Sequence, residues 1–439
     1  MFRYYLRLGL LSIRANPALS ALMVAAIAIG IGACMTIVNV RHVMSDNPIA
    51  HKNDVLFHVQ VDNWSPDEPY EDPDEPPEQL TYLDAKALHD AGRAYRQVVS
   101  FKSGRVVQPA NEDARPFQET VRAATADFFA MFDVPFAFGS GWDRSSDVSE
   151  ERVVVLSSSI NEELFGGKNS VGELLRMNDE TYRVVGVLAP WTPVPKFYDV
   201  NNNPFEEPER IYLPFSLAIS GKFGSSGNTS CWKPSGEGGY DAFLASECIW
   251  MQMWVELRNE AERQDYAEFL DAYVSEQKLL GRFPRELNNR LSTPAEWLDN
   301  RDVVDDNVNM LLSLAVLFLV VCLLNTIGLL LAKVMRRTND ISLRRALGAS
   351  KSALFSQYII EAGLIGMAGG LLGIGLTWLG LQGIENIYAE YEFIKNLLRM
   401  DWSMIFVAVA LAIVSALGAA LYPTWRACRI SPAATLRIQ

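Results

Sequence analysis

Four stretches of the chain, 18–40, 308–332, 362–384 and 402–425, contain no Asp, Glu, Lys or Arg. Each exceeds the roughly 20 residues that carry an α-helix across a bilayer. A water-facing helix of that length would present a polar face, and these present none. Four such runs restrict the fold to a membrane protein with four transmembrane helices. Bulk composition hides the restriction, because 49% hydrophobic residues and a net charge of −13 over 439 residues would suit a soluble acidic protein.

The distribution of charge separates the two pictures. Ahead of the first run stand Arg3, Arg7 and Arg14 without an acid. Residues 333–351 set Lys333, Arg336, Arg337, Arg344, Arg345 and Lys351 against Asp340 alone, and the tail carries Arg426, Arg429 and Arg437. These three segments sum to +11, so everything else must carry −24 to give the total of −13. Lys and Arg accumulate on the cytoplasmic side of spanning helices. Both termini and 333–351 are therefore expected inside, with a large acidic domain between the first and second spans outside.

The expected order is a cytoplasmic interfacial helix at 1–16, a first span at 17–41, an extracytoplasmic domain at 42–306 and a second span at 307–332. A cytoplasmic loop at 333–351, a third span at 352–384, a short outer loop at 385–401, a fourth span at 402–425 and a cytoplasmic tail at 426–439 complete it. At 100° per residue Arg3, Arg7 and Arg14 share an arc of roughly 40°, apart from Phe2, Leu6, Leu10 and Ile13, as in a helix lying on the inner leaflet. Flanking charge that only sets orientation would read the same way. Ile31-Gly32-Ala33-Cys34 resembles a lipobox, but apolar residues continue through Val40 as in a spanning helix; an intact N-terminal mass separates these readings.

The outer domain reads as α+β. Alternation predicts a strand at 54–61, a helix at 79–91 and a strand at 96–101, then a second set at 248–257, 261–280 and 286–291. These two β-α-β halves, about 53–103 and 248–292, bracket an inserted subdomain, about 104–247, with strands at 152–156, 182–188 and 210–214. Residues 67–78 hold seven acids among prolines. A solvated, partly disordered loop is expected there, since such a segment repels itself and does not match a calcium loop.

Catalytic patterns are missing. His42, His51, His58 and His89 form no HExxH helix, and no CxxC pair completes a zinc site. Ser230 and Lys233 match only a bare SxxK, and there is no GxSxG. Gly166-Gly167-Lys168-Asn169 lacks both the spaced first glycine of a phosphate loop and the Ser or Thr that would hold magnesium. The chain is expected to be non-catalytic, with no metal or cofactor of its own. Of the cysteines, Cys34 and Cys322 lie in apolar runs and Cys428 in the tail. Cys231 and Cys248, alone in the outer domain, are expected to form a disulfide stabilising by about 3 kcal/mol.

Several motifs jointly resemble the MacB/FtsX-like family of ABC transporter permeases. The stretch Arg337-Thr338-Asn339-Asp340-Ile341-Ser342-Leu343-Arg344-Arg345-Ala346-Leu347-Gly348-Ala349-Ser350, followed by Gln357 and Glu361-Ala362, is similar to the family's R-x-x-E-I-x-[IL]-R-[RK]-A-[LV]-G-A loop, with Asp340 in place of Glu. Tyr422-Pro423, Arg426-Ala427 and Ser431-Pro432-Ala433-Ala434-Thr435-Leu436-Arg437 resemble its terminal signature, with Thr435 in place of Ala. Val153 to Leu156, Leu164-Phe165-Gly166, Val171-Gly172 and Val184 to Val187 resemble its outer-domain pattern.

The resemblance implies a permease subunit in the bacterial inner membrane. A separate ABC ATPase, which alone would bind ATP and magnesium, would drive changes in the extracytoplasmic domain for export or efflux. The same machine could instead release lipoproteins or regulate cell-wall hydrolases. Expected partners are that ATPase, a second permease chain, membrane lipid, and a periplasmic adaptor with an outer-membrane channel; nucleic acid is not expected. Coupling to the ATPase is assigned to Arg337, Asp340, Ile341, Arg344, Arg345, Leu347 and Gly348. The spacings Gly366/Gly370 and Gly369/Gly373 mark close helix packing, within the chain or between two chains. Asn325 is placed to hydrogen-bond across helices, and Glu361 near the inner interface.

Overall fold

The computed structural model describes residues 2–109, 115–387 and 402–428. Arg429, Arg437, the signature from Ser431 to Arg437 and most of the 385–401 loop lie outside them. The chain divides into two compact units, one of Asp46–Val303 and one of Met1–Ser45 with Val304–Gln439.

Helices α1 (Phe2–Ala15) and α2 (Pro17–Met44) come first. In the Asp46–Val303 unit follow β1 (Leu56–Gln60), β2 (Leu80–Thr81), α3 (Tyr82–Ala91), β3 (Arg96–Gln108), β4 (Phe117–Ala124), α4 (Phe128–Met131), β5 (Phe136–Gly139) and α5 (Arg144–Val148). Next come β6 (Val153–Leu156), α6 (Ser158–Phe165), β7 (Leu174–Met177), β8 (Glu180–Leu188), β9 (Ile211–Pro214), α7 (Phe215–Ser220) and α8 (Gly239–Leu244). The unit ends with β10 (Ile249–Glu256), α9 (Glu260–Leu279), β11 (Arg290–Ser292) and α10 (Pro294–Asn300). Then α11 (Asp306–Arg336), α12 (Thr338–Ala346), α13 (Lys351–Ile387) and α14 (Trp402–Cys428) return to the helical unit.

In the helical unit α2, α11, α13 and α14 are long and apolar enough to cross a membrane. At 1.5 Å per residue α11 runs about 46 Å and α13 about 55 Å, well past the roughly 30 Å hydrocarbon core. Pro17 starts α2 where its missing N–H costs nothing. Asp305 caps α11 by accepting from the Asn307 N–H.

Small residues let these helices approach closely, and the two glycine spacings of α13 face different neighbours. A Cβ on Gly366 would stand 2.6 Å from the Ala416 Cβ of α14, and one on Gly370 2.9 Å from that of Ala412. On the other face a Cβ at Gly369 would meet Ile27 of α2 at 2.7 Å and one at Gly373 would meet Ile31 at 3.1 Å. Both spacings are thus occupied by packing within the chain. Asn325 is exposed on α11 rather than reaching across to a neighbour, whereas Thr326, buried beside it, returns its hydroxyl to the Cys322 carbonyl at 2.9 Å.

In the other unit the two β-α-β segments interleave. Strand β10 lies antiparallel between β1 and β3, and β11 pairs with the far edge of β1, giving the order β11-β1-β10-β3. Helices α3 and α9 cover one face through Ala85, Leu88, Tyr266, Leu270 and Val274. This is a split β-α-β arrangement. Trp254, Phe128, Phe132 and Trp297 fill the other face, so β1 and β10 are buried along their whole length. The final strand is shorter and later than 286–291, at Arg290–Ser292; upstream of it Arg285 binds Asp62 at 2.9 Å.

The long β3 continues into a second assembly. Pairings β3-β4, β4-β9, β9-β6, β6-β8, β8-β7 and β7-β3 close a ring of strands. Val107, Val121, Val154, Leu175, Val184, Ile211 and Leu213 belong to its core, as expected of a small ring filled by side chains. Gly166 and Gly167, both at positive φ, end α6 in a left-handed turn; that turn accounts for the paired glycines.

The acidic segment is an irregular loop exposed over most of 67–74, as expected of a solvated run, but it is tied down by arginines. Arg285 donates to the Pro73 carbonyl at 3.2 Å, Arg290 lies 3.5 Å from Glu75, and Arg301 binds Glu71 at 2.9 Å and also pairs with Glu78. Residues 76–80 are buried. Arginines from distant sequence thus pair with Glu71, Glu75 and Glu78 of the run. Cys231 and Cys248 are joined by a disulfide.

Candidate coupling site

The basic segment between the second and third spans folds as a short helix on a tied base. Lys333, in the last turn of α11, is buried and forms an ion pair with Glu361 of α13. Its ammonium also donates to Ser20 Oγ of α2 at 3.2 Å. Ser12 of α1 is buried with its hydroxyl 2.8 Å from each Glu361 oxygen. Arg337, just beyond α11, donates to the Ser12 carbonyl at 3.3 Å and also to its hydroxyl. Helices α1, α2, α11 and α13 therefore meet in one buried polar knot. Gly9 lets α1 approach, since a Cβ there would stand 3.1 Å from the Leu364 side chain.

Two buried opposite charges stay buried only when paired and hydrogen-bonded, because desolvating each costs several kcal/mol. The hydroxyls and the ion pair meet that condition jointly. Helix α1 is accordingly packed on α13 along Gly9 and Ser12, while Arg3, Arg7 and Arg14 stay exposed on its other side.

Helix α12 leaves this knot with two distinct faces. Ile341 is buried with Val334, Leu354 and Cys428 against Tyr358. Arg344 donates to Gln357 Oε1 at 3.2 Å and Arg345 to the Cys428 carbonyl at 3.5 Å. Gly348, at φ +99°, turns the chain into α13 where a side chain would be strained. On the opposite face Asp340 is exposed, Leu343 is 54% exposed and Leu347 is 80% exposed. Residues four apart stack on one side of a helix, so Leu343 and Leu347 make an apolar ridge beside a carboxylate.

The residues grouped by sequence therefore separate. Asp340 and Leu347 point outward as contact residues would. Arg337, Ile341 and Arg345 are held within the chain and position α12, and Gly348 shapes its end. Leu343 was not singled out, although its i+4 relation to Leu347 is readable. The partnership of Lys333 and Glu361 was missed as well, because 28 positions and a change of helix separate them. A lysine at the end of one apolar run and a glutamate at the start of the next were its only signal.

Residues 20–273 match the family model of the MacB-like periplasmic core domain, and residues 312–432 that of the FtsX-like permease C-terminal domain. The macrolide export ATP-binding/permease protein MacB of Vibrio parahaemolyticus is 23% identical over 334 residues, covering 74% of this chain and 44% of its own length. The pyoverdine export ATP-binding/permease protein PvdT of Pseudomonas aeruginosa is 24% identical over 335 residues, covering 76% of this chain and 44% of its own. The crystal structure of the periplasmic region of MacB from Actinobacillus actinomycetemcomitans is 14% identical with a TM-score of 0.37, covering 61% of this chain and 97% of the other. The chain spans about half the length, or less, of the curated relatives it matches. With a periplasmic core model over more than half its residues and a permease model over its last three apolar helices, the chain belongs to the MacB/FtsX-like family of ABC transporter permeases.

Proposed function

We propose that this chain is the membrane subunit through which an ABC ATPase, bound at α12, drives the Asp46–Val303 domain to export a substrate. The observation that carries the reading is the α12 surface. An apolar ridge of Leu343 and Leu347 stands exposed on a helix whose other face is locked to α11, α13 and α14. A force applied there reaches α1, α2, α11 and α13 together through the Lys333–Glu361 knot. The basic balance of 333–351, with Arg3, Arg7 and Arg14 ahead of the first span, supports a cytoplasmic side for α12 and the N-terminus in a bacterial inner membrane. The disulfide-bearing domain then faces the periplasm, where disulfides persist. On this reading ATP and magnesium belong to the ATPase, a second permease chain completes the assembly, and a periplasmic adaptor and outer-membrane channel receive the substrate.

The test is affinity purification of the full chain from native membranes. Co-purification of an ABC ATPase, lost in Leu343→Asp/Leu347→Asp and kept in Ser352→Ala, an exposed control on α13 away from that ridge, is the expected result. Variants that retain the ATPase would overturn the assignment of α12. Periplasmic accessibility of a cysteine placed at Leu347 would overturn the orientation.

A further inference from the structure

The Asp46–Val303 unit contains a cleft of about 290 Å³. Its walls come from α3, β3, α5 and α7. Its size lies at the lower end of small-molecule sites, and one of its groups lacks a partner. Gln97 of β3 is 2% exposed and lines the cleft. Its amide nitrogen donates to the His89 carbonyl, which can only accept, so the orientation of the amide is fixed. The Oε1 acceptor is left buried with no hydrogen-bond partner among the described residues. A buried acceptor left unpaired is unfavourable, so a donor entering the cleft would gain by meeting it.

The remaining lining defines what would pair with it. Asp147 is buried and accepts from the Ser216 N–H at 3.1 Å; the Ser216 hydroxyl and the Ala126 N–H also bear on its carboxylate, the Arg144 charge faces it, and burial raises its pKa. Asp127 accepts from the Gln97 N–H at 3.2 Å. Glu150 adds a third carboxylate, while Lys86 is already paired with Asp90. Arg144 is the other fixed cation on the wall, and burial with the Arg144 charge lowers the His89 pKa, favouring the neutral ring. Val99, Phe215 and Ile219 give the cleft an apolar side. Asp90, Asp127, Asp147 and Glu150 therefore outnumber Lys86 and Arg144 beside an apolar wall.

We infer that this cleft binds a small organic cation, an ammonium group donating to Gln97 Oε1 and Asp147 with an apolar body against Phe215 and Ile219. The site lies wholly within one unit and does not depend on the coupling assigned to α12.

Isothermal titration of the full chain in detergent micelles with phenethylammonium tests it, with 3-phenylpropionate and 2-phenylethanol as anionic and neutral counterparts. Saturable binding of the ammonium is expected, at least fivefold tighter than either counterpart. Asp147→Asn, which keeps an acceptor for Ser216, should weaken it at least fivefold. Val148→Trp, at a rim residue 75% exposed, should abolish it without disturbing the core. Absence of saturable ammonium binding, equal binding of the propionate, or unchanged affinity in folded Asp147→Asn and Val148→Trp would each overturn the inference.

Discussion

His58 offers a quantitative test of the packing in the Asp46–Val303 unit. Its ring is stacked on Trp297 with centroids 3.8 Å apart and meets Trp254 edge-on at 5.1 Å. Neither ring nitrogen has a partner among the described residues. Burial, aided by the Arg301 charge, pushes its pKa down to about 3. An unfolded histidine takes up its proton near pH 6.5, whereas the folded one stays neutral until far lower. The unfolded state therefore gains protons first. Stability is complete above about pH 6.5 and falls by about 1.4 kcal/mol for each pH unit below it. Between pH 7.5 and pH 5 this amounts to about 2 kcal/mol from His58 alone. Pulse proteolysis in urea across that range, comparing the native chain with His58→Phe, isolates the contribution, since every other titrating group is common to both. The His58→Phe profile should be flatter by about 2 kcal/mol. Parallel profiles would refute the buried, neutral histidine.

Three further outcomes follow from the packing. Lys333→Met or Glu361→Gln alone should cost about 3–5 kcal/mol by stranding a buried charge, while Lys333→Met/Glu361→Met should recover most of it; thermal unfolding in detergent checks this, and additive losses would contradict a coupled pair. Gly370→Leu should separate α13 from α14 and lower the unfolding temperature, whereas Gly375→Ala, with nothing within 4 Å of its Cβ, should be neutral or stabilising by up to about 1 kcal/mol. Removing the disulfide with Cys231→Ser should cost the Asp46–Val303 unit about 3 kcal/mol, read as a lower urea midpoint.

The apolar runs were readable because a spanning helix must be uncharged over its whole length, a local property. The elements of the two β-α-β segments were readable for a similar reason, since alternation and 3.6-residue periodicity are local. Their interleaving was not. The placement of β10 between β1 and β3 is set by which surfaces bury Trp250 and Trp254, a choice made between residues about 160 positions apart. Charges misled most. Arg122 sits in a strand like a solvent-facing residue, yet it is fully buried, paired with Asp199 and Glu209 while Gln252 donates to Asp199 at 2.6 Å. The acidic run 67–78 gave no hint of Arg285, Arg290 and Arg301. At α12 the basic balance and the family-like motif were readable as a loop at 333–351, but only tertiary packing separates Ile341, which anchors the helix formed there, from Leu343 and Leu347, which face out.

On the proposed function, ATP bound by an ATPase docked at α12 changes the state of the Asp46–Val303 domain. Hydrogen exchange of that domain, measured by mass spectrometry on the chain reconstituted in nanodiscs with the ABC ATPase that co-purifies with it, tests this. ATP with magnesium is expected to alter protection in the domain of the native complex, and Leu343→Asp/Leu347→Asp to abolish the change. Protection indifferent to ATP in the intact complex, or an ATP response that persists in that variant, would contradict it.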